Sequence, residues 1–446
     1  MNIESIVKNN LCTGCGVCIS EDDSKQAKMV WDENGFLVPQ LGIDSTQDQM
    51  IKVCPFSIHQ KNEDELSEIF LKDSKSQYHD KIGYYYGLYA GFSAQFRDTS
   101  SSGGIATYVF NTLLKQKIVN HLFIVKEVKG EYAYQLFSDL KDITQISKTR
   151  YIPVTLEKLF EEISNIKGGV AVCGVACFVK AIRLKQYHYP EFKEKIPFVV
   201  GIICGGLKSK YYTDFLAQSA GCMGEFGSAQ YRIKNPNSYA LDYKFGCTNK
   251  FDNRIHIVDM QKLGDMWGTG LFKSNACDFC DDVLTELADI SLGDAWINPY
   301  DKSGLGNNIV ITRSNLANKI INKGILKSEL LIDQLEVEAI LLSQSGSFNH
   351  RHKGLKFRID NAKSKESLFP IKRKKNIVQQ NFIFNLVQNA RFNTRLESLE
   401  NWKKTKNVIK FNSKMNSCLE KLKFLTKWNH RYLRLQRILK KVVLPK

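Results

Sequence analysis

The segment LCTGCGVC at residues 11–18 places Cys12, Cys15 and Cys18 three residues apart on one short loop, with Gly14 and Gly16 between them. Glycine lets such a loop curl tightly and turn backbone N–H groups inward. Three thiols are one ligand short of a closed four-thiolate site. The next cysteine along the chain is Cys54, followed by Pro55, and it is the most economical fourth ligand. Between them VWDENGFLVPQL reads as a hairpin around an Asn34-Gly35 turn.

The opening MNIESIVKNN has neither a basic nor an apolar leader region, and no stretch reaches the ~18 apolar residues that crossing a bilayer requires. The chain is therefore expected in the cytoplasm. Twelve cysteines in that reducing compartment are not a disulfide framework, and clustered thiols point to metal. The pattern C-x2-C-x2-C…C-P resembles bacterial-type ferredoxin modules, in which four thiolates hold a 4Fe–4S cube. A zinc ribbon would bring two separate Cys-x2-Cys pairs instead.

The 446 residues should form more than one domain. We expect a mixed α/β or α+β protein: a small ferredoxin-like module at 1–60, a polar linker at 61–83, a mixed α/β domain at 84–345 and a basic helical region at 346–446. HLFIVKEV (121–128), GGVAVCGV (168–175) and IPFVVGIICGG (196–206) read as buried strands, and IATYVFNTLLKQ (105–116) and CFVKAIRLKQY (177–187) as helices. No GxGxxG turn announces a dinucleotide-binding unit. The net charge of +17 is confined to the end: residues 371–446 carry 20 Lys and Arg against three Glu and no Asp, and the rest balances.

A second chelating pair, Cys277-x2-Cys280, needs two further thiols, and spacing does not choose them from Cys173, Cys177, Cys204, Cys222 and Cys247. Cys177 sits at a predicted strand-to-helix turn, whereas Cys173 lies inside an apolar strand, where a small buried thiol is ordinary. SSGG (101–104), SKTRY (147–151), CGVACFVKAIR (173–183), GIICGG (201–206) and CDFCDDVLTELADISLGDAW (277–296) together resemble, in this order, the coenzyme F420 hydrogenase/dehydrogenase beta-subunit family. The resemblance runs over residues 5–345. It implies FAD, iron–sulfur clusters, and electron passage between one-electron carriers and a two-electron acceptor. By position it makes Cys177, Cys204, Cys277 and Cys280 ligands of a second cube. CGVAC stands where the family usually has Gly-Thr-Pro-Cys, and Cys204-Gly205-Gly206 where it has Cys-His-Gly, which removes a candidate proton donor near the flavin.

Ser101, Ser102, Gly103 and Gly104 precede a helical pattern, so amides and the helix dipole converge where a diphosphate can bind. With the resemblance, that diphosphate belongs to FAD, and Thr107, Lys148 and Tyr151 join its contacts. Lys148 and Arg150 are candidates for stabilising negative charge on the flavin, and Asp294 for orienting ribose or substrate. Asp289 is placed beside the same centre. The segment NHRH, with His350 and His352, reads as solvated, and SGLGNN (303–308) as a plain turn.

The function expected is an iron–sulfur flavoprotein oxidoreductase with two 4Fe–4S clusters and FAD. Its partners would be a ferredoxin or other carrier and a small-molecule, deazaflavin or sugar-linked substrate, the last on a resemblance to proteins of polysaccharide-gene clusters. The rivals are a non-catalytic electron-transfer subunit and, less favoured, a zinc-held nucleic-acid-binding protein; a homo-oligomer is left open. At the C-terminus Leu422, Leu425, Trp428, Tyr432, Leu435, Ile438 and Val442 form one helix face among Lys421, Lys423, Lys427, Arg431, Arg434, Arg437, Lys440 and Lys441. This cationic amphipathic pattern fits an anionic membrane surface, with packing on the protein or a second chain as the alternative. On the membrane reading, a chain ending near Pro370 would keep its clusters and flavin.

Overall fold

The computed structural model describes residues 1–443 except His59 and Lys129; the side chains of Arg437 and of residues 440–443, and with them Val442 of the expected helix face and Arg437, Lys440 and Lys441 of its cations, lie outside the described part. The architecture is mixed α/β. An eight-stranded sheet runs in the order Leu330–Gln334, Gly87–Ser93, Asn308–Thr312, Ile290–Asp294, Phe198–Ile202, Val170–Val175, His121–Val128 and Glu131–Phe137. The four strands from Ile290–Asp294 to His121–Val128 are parallel, and antiparallel strands flank them on both sides. Parallel strands are buried on both faces, which is why these segments read as unbroken apolar runs.

Alternation along each strand feeds two cores. Val170, Val172 and Val199 pack under the helix Ala176–His188, with Phe178, Val179 and Ile182, while Ala171, Phe198, Val200 and Leu292 pack under the helix Ile105–Lys115 on the other face. The first of these cores does not stop at residue 60. Cys15, Val17, Cys18, Met50 and Val53 share it with Leu156, Leu159 and Phe160 of the body. The expected hairpin forms, with Lys28–Trp31 paired antiparallel to Leu37–Gln40.

A second, three-stranded antiparallel sheet (Phe226–Lys234, Tyr243–Asn249, Ile255–Asp259) packs with the helix Lys210–Ser219. Two C-terminal helices, Phe382–Thr405 and Val408–Val443, form a hairpin that inserts Trp402, Phe411 and Met415 into this aromatic core beside Phe215 and Phe272. The expected amphipathic face divides: Leu422 is buried against Val387 and Ala390, whereas Trp428, Leu435 and Ile438 are 45%, 59% and 49% exposed. Among the described residues no helix is long and apolar enough to cross a membrane.

The basic tail is not a separable appendage, which corrects the expectation for a chain ending near Pro370. Lys372 and Arg373 pair with buried Asp281, Arg373 also with Glu286, and Arg395 with Asp278. Truncation after residue 370 should therefore strip buried Asp281 and Glu286 of their ion-pair partners and take one of two close cations from Asp278, and breaking even one such pair costs about 3–5 kcal/mol. We expect the truncated chain to aggregate or to melt far below the full chain in a thermal scan. Trp402→Ala, which empties a ring-sized space in the aromatic core, should cost about 3–5 kcal/mol in denaturant unfolding.

Candidate functional site

Cys12, Cys15, Cys18 and Cys54 line one cavity, together with Ile3, Ile6, Leu11 and Phe56. Gly14 and Gly16 take left-handed φ of +72° and +74°. A Cβ on Gly16 would stand 1.9 Å from Thr155 Oγ1, so the loop is pressed onto the body of the protein and only glycine fits. The Gly14 N–H donates to Cys12 Sγ at 3.4 Å.

The second set gathers at the carboxyl edge of the parallel strands. Val175 and Ile202 are register partners at the ends of neighbouring strands, and Cys177 and Cys204 each lie two residues beyond. Cys277 lies in the 3-10 turn Asn275–Phe279 and Cys280 ends it. Cys177 is within electrostatic reach of Cys280, Cys277 and Cys204, and also of Cys15 in the first set. Cys12, Cys54, Cys177 and Cys280 share one apolar cluster with Leu11, Phe56 and Phe279, so the two sets are neighbours. The competing thiols stand elsewhere: Cys222 and Cys247 face each other in the aromatic core, and Cys173 packs into the other face of the sheet.

Burial pushes the Cys54 and Cys277 thiols up to about 12 and Cys177 well up, so a bound metal is needed to hold them as thiolates. Gly206 N–H donates to Cys204 Sγ at 3.2 Å and Leu207 N–H to Cys277 Sγ at 3.1 Å. These donor sets suit iron–sulfur ligation in chemistry. Among the described residues no group of three or more His, Cys, Asp or Glu side chains is arranged to hold a metal ion. A four-iron cube takes its thiolates from a wider ring than one ion does.

From Cys204 the site continues through aromatic rings. Tyr151 lies within electrostatic reach of Cys204 and of Asp294, and packs edge-on against Trp267 at 4.9 Å. A Cβ on Gly205 would stand 3.0 Å from the Trp267 ring and one on Gly206 2.9 Å from the Lys273 side chain. The bulk that these glycines admit is thus the protein's own, with Trp267 crowding the Gly205 position. Asp294 accepts a 2.6 Å bond from Arg232. Asp289, expected beside it, is at the opposite end of the strand, paired with Arg183 at 2.9 Å and bonded to the Val199 N–H.

The Ser101–Gly104 turn is tightly built. Ser101 Oγ accepts from Thr149 N–H, Thr107 Oγ1 bonds Ser147 Oγ, and Ser102 Oγ donates to the Asn307 carbonyl. Gly104 caps the helix at φ +79°. Side chains on Gly103 or Gly104 would strike the Gly91 carbonyl at 2.7 Å or the Phe96 backbone at 2.5 Å, so the protein itself requires these glycines. The Ile105 N–H is taken by Asn308 Oδ1, which leaves less of the helix terminus for an anion than the sequence implies.

What the turn gains is cations that sequence reading missed. Lys234 Nζ bonds the carbonyls of Arg97 and Ser102 at 2.5 and 2.9 Å. Arg97 reaches across to Ser303, Gly306 and Asn307, so SGLGNN is a turn held by an arginine. Burial and its cationic neighbours Arg97, Lys148 and Arg232 push Lys234 down to about 8, against a weaker opposing pull from Asp98. Desolvation also lowers Lys148 and Arg150. Burial works against the Arg232 charge too, but Asp294 overrides it and holds its pKa high. The Nε atoms of Arg150 and Arg232 are buried without a hydrogen-bond partner. This excess of confined positive charge fits an anionic group. The signal for Arg232 and Lys234 was present in YRIK, two cations at alternate positions of a strand.

The NHRH segment corrects its expectation outright. Arg351 and His352 are buried, and the backbone from Asn349 to Lys353 forms a π-helical turn. Arg351 Nη1 donates to Cys280 Sγ at 3.3 Å. Nothing in the sequence pattern marks it.

Neighbouring thiol sets at a strand edge, beside a cation-rich turn, are the arrangement of a redox protein. The family model for the C terminus of the coenzyme F420 hydrogenase/dehydrogenase beta subunit matches residues 168–338, and the model for the N-terminal part of the same beta subunit matches residues 88–161. Together they span more than half of the chain, which belongs to the coenzyme F420 hydrogenase/dehydrogenase beta-subunit family, with the redox and electron-transfer function this implies. A chain of the F420-reducing NiFe hydrogenase complex from Methanosarcina barkeri shares the fold, with a TM-score of 0.50 and 19% identity over 67% of this chain and 99% of that one. No match is found among curated proteins.

Lys234 sets a pH dependence. It is charged below about 8 and neutral above, so an anion at the turn loses a partner as pH rises through that value. Adenosine diphosphate ribose, whose diphosphate is esterified at both ends and so keeps its charge over this range, should bind more weakly at pH 9 than at pH 7, with proton uptake on binding near pH 8.5 by calorimetry in two buffers. Equal affinity at both pH values would place the anion away from Lys234.

Proposed function

We propose that the chain is an iron–sulfur flavoprotein oxidoreductase, holding one 4Fe–4S cluster on Cys12, Cys15, Cys18 and Cys54, a second on Cys177, Cys204, Cys277 and Cys280, and FAD at the Ser101–Gly104 turn. The observation that carries this reading is the unbroken succession from Cys15 to Cys177, and from Cys204 through Tyr151 to Asp294 and the cation-rich turn. Bound there, thiolate-held clusters accept single electrons and FAD stores two, which matches a one-electron carrier such as ferredoxin to a two-electron acceptor. Lys148, Lys234, Arg97 and the orphaned Arg150 and Arg232 nitrogens would hold the diphosphate or negative charge on the ring. Tyr151 and Trp267 exclude water between Cys204 and Asp294, and Asp294 fixes Arg232 at the substrate side.

The domain division at residues 60, 83 and 345 belongs to this proposal, as does an acceptor that is a deazaflavin or a sugar-linked substrate of glycoconjugate synthesis. The exposed Trp428, Leu435 and Ile438, interleaved with Lys427, Arg431 and Arg434, support peripheral contact with an anionic membrane at its cytoplasmic face. A second reading, an electron-transfer subunit without turnover of its own, is favoured by one observation: a structure sharing this fold is a chain of a hydrogenase complex.

Protein purified without air should contain about eight irons and as many sulfides per chain, from two four-iron cubes. Cys54→Ser and Cys280→Ser should each remove about half. Stoichiometric zinc would sink the redox reading. Lys148→Gln, at an exposed position, should weaken flavin roughly tenfold, the scale of one charge-assisted contact, and leave the iron unchanged. Turnover of a two-electron acceptor by the isolated chain separates enzyme from electron-transfer component. Co-sedimentation with anionic vesicles at low salt, reversed by added salt, tests the C-terminal helix.

A further inference from the structure

The two thiol sets differ in the charge that surrounds them. The first set has Lys180 within electrostatic reach of Cys54 and the carboxylate of Asp32 within reach of Cys12. The second is enclosed by buried cations on several elements, which outweigh the opposing carboxylates of Asp282 and Asp281 at Cys280. Lys208 bonds the Met266 and Leu271 carbonyls beside Cys277, and Lys273 pairs with Asp278 at 2.6 Å. Lys372 pairs with Asp281 at 3.4 Å and acts on Cys280.

Arg351 differs from the other three cations in touching sulfur. Its Nη1 donates to Cys280 Sγ at 3.3 Å and to the Asp282 carbonyl, and its Nη2 donates to the Cys204 carbonyl. One 3% exposed guanidinium thus grips the segments of two proposed ligands, with a thiol and two carbonyls as its hydrogen-bond partners. Arg351 makes this reach from the π-helical turn Asn349–Lys353. Such turns recur at functional sites.

Reducing a thiolate-held cluster adds one electron and breaks no bond, so it adds one negative charge to the set. A buried cation with an N–H···S bond favours the more negative state, and hydrogen bonds and charge at the sulfurs set such potentials. Resting on the functional reading above, we propose that Arg351 is a positioning residue that makes the second thiol set the more easily reduced of the two. Electrons from the one-electron carrier would then pass from the N-terminal set inward toward the flavin turn.

The test is a redox titration of the full chain, purified without air and followed by electron paramagnetic resonance, with Cys54→Ser to assign the N-terminal signal. In the natural protein the second set should be reduced at the higher potential. Arg351→Gln should move that signal alone to a more negative potential, and Arg351→Lys, which keeps the charge but not the fork, should move it less. A natural protein whose second set is the harder to reduce overturns the proposal, as does an Arg351→Gln protein that keeps its iron and its potential. If Arg351→Gln loses the second set's iron, the order of potentials in the natural protein and the Arg351→Lys shift decide. A chain that binds no iron at all defeats the functional reading itself, which the iron analysis reveals before any titration.

Discussion

Burying acid is the constraint on which this molecule turns. Asp278, Asp281, Asp282 and Glu286 follow directly on Cys277 and are all under 5% exposed. They are held by Lys273 from the same segment and by Arg395, Lys372, Arg373 and Arg313, which arrive from other parts of the chain. Arg373 alone bonds Asp64, Asp281 and Glu286, tying the helix Glu63–Phe70 and the C-terminal region to the loop that carries two thiols. Such a network need not add net stability over a well-packed apolar core, but it is costly to break because each lost partner leaves a buried charge. Its effect here is to specify one position for Cys277 and Cys280. The tail thus supplies counter-charge to the site through Lys372, Arg373 and Arg395, while most of its other cations, from Lys374 onward, face solvent.

Around that loop the fold arranges its chemistry by strand direction. Parallel strands bring their carboxyl ends to one edge, where ligands of open α/β sheets generally bind. Cys177, Cys204 and Asp294 leave three such ends, and the first thiol loop is packed against the same region through Leu11, Phe56 and Phe279. Trp267 and Tyr151 fill the space between thiols and cations. Trp267 crowds Gly205 closely enough that a side chain there would meet the indole.

Legibility followed the range of the interaction. The hairpin around Asn34-Gly35, the strands His121–Val128, Val170–Val175 and Phe198–Ile202 and the helices Ile105–Lys115 and Ala176–His188 were all readable, because turn chemistry and hydrophobic period are local. The first thiol set was readable too, since three of its members lie within seven residues. The second was readable only through resemblance: spacing left Cys173, Cys222 and Cys247 as rivals, and only the parallel register shows them directed elsewhere.

By itself, then, the sequence determined the fold class, the thiol loop, the helical character of the tail and the redox family, all properties carried by residues near one another in the chain. Tertiary structure alone decided that Arg351 and His352 of a polar-looking segment are buried, that Asp289 and Asp294 serve opposite ends of one strand, and that Arg97, Arg232 and Lys234 converge on the serine–glycine turn. It also decided which of the tail's cations turn inward. The reason is physical: a buried charge needs an ion-pair or hydrogen-bond partner, and for Arg351, Arg373 and Arg395 these partners lie from about seventy to more than a hundred residues away, beyond the reach of any local pattern.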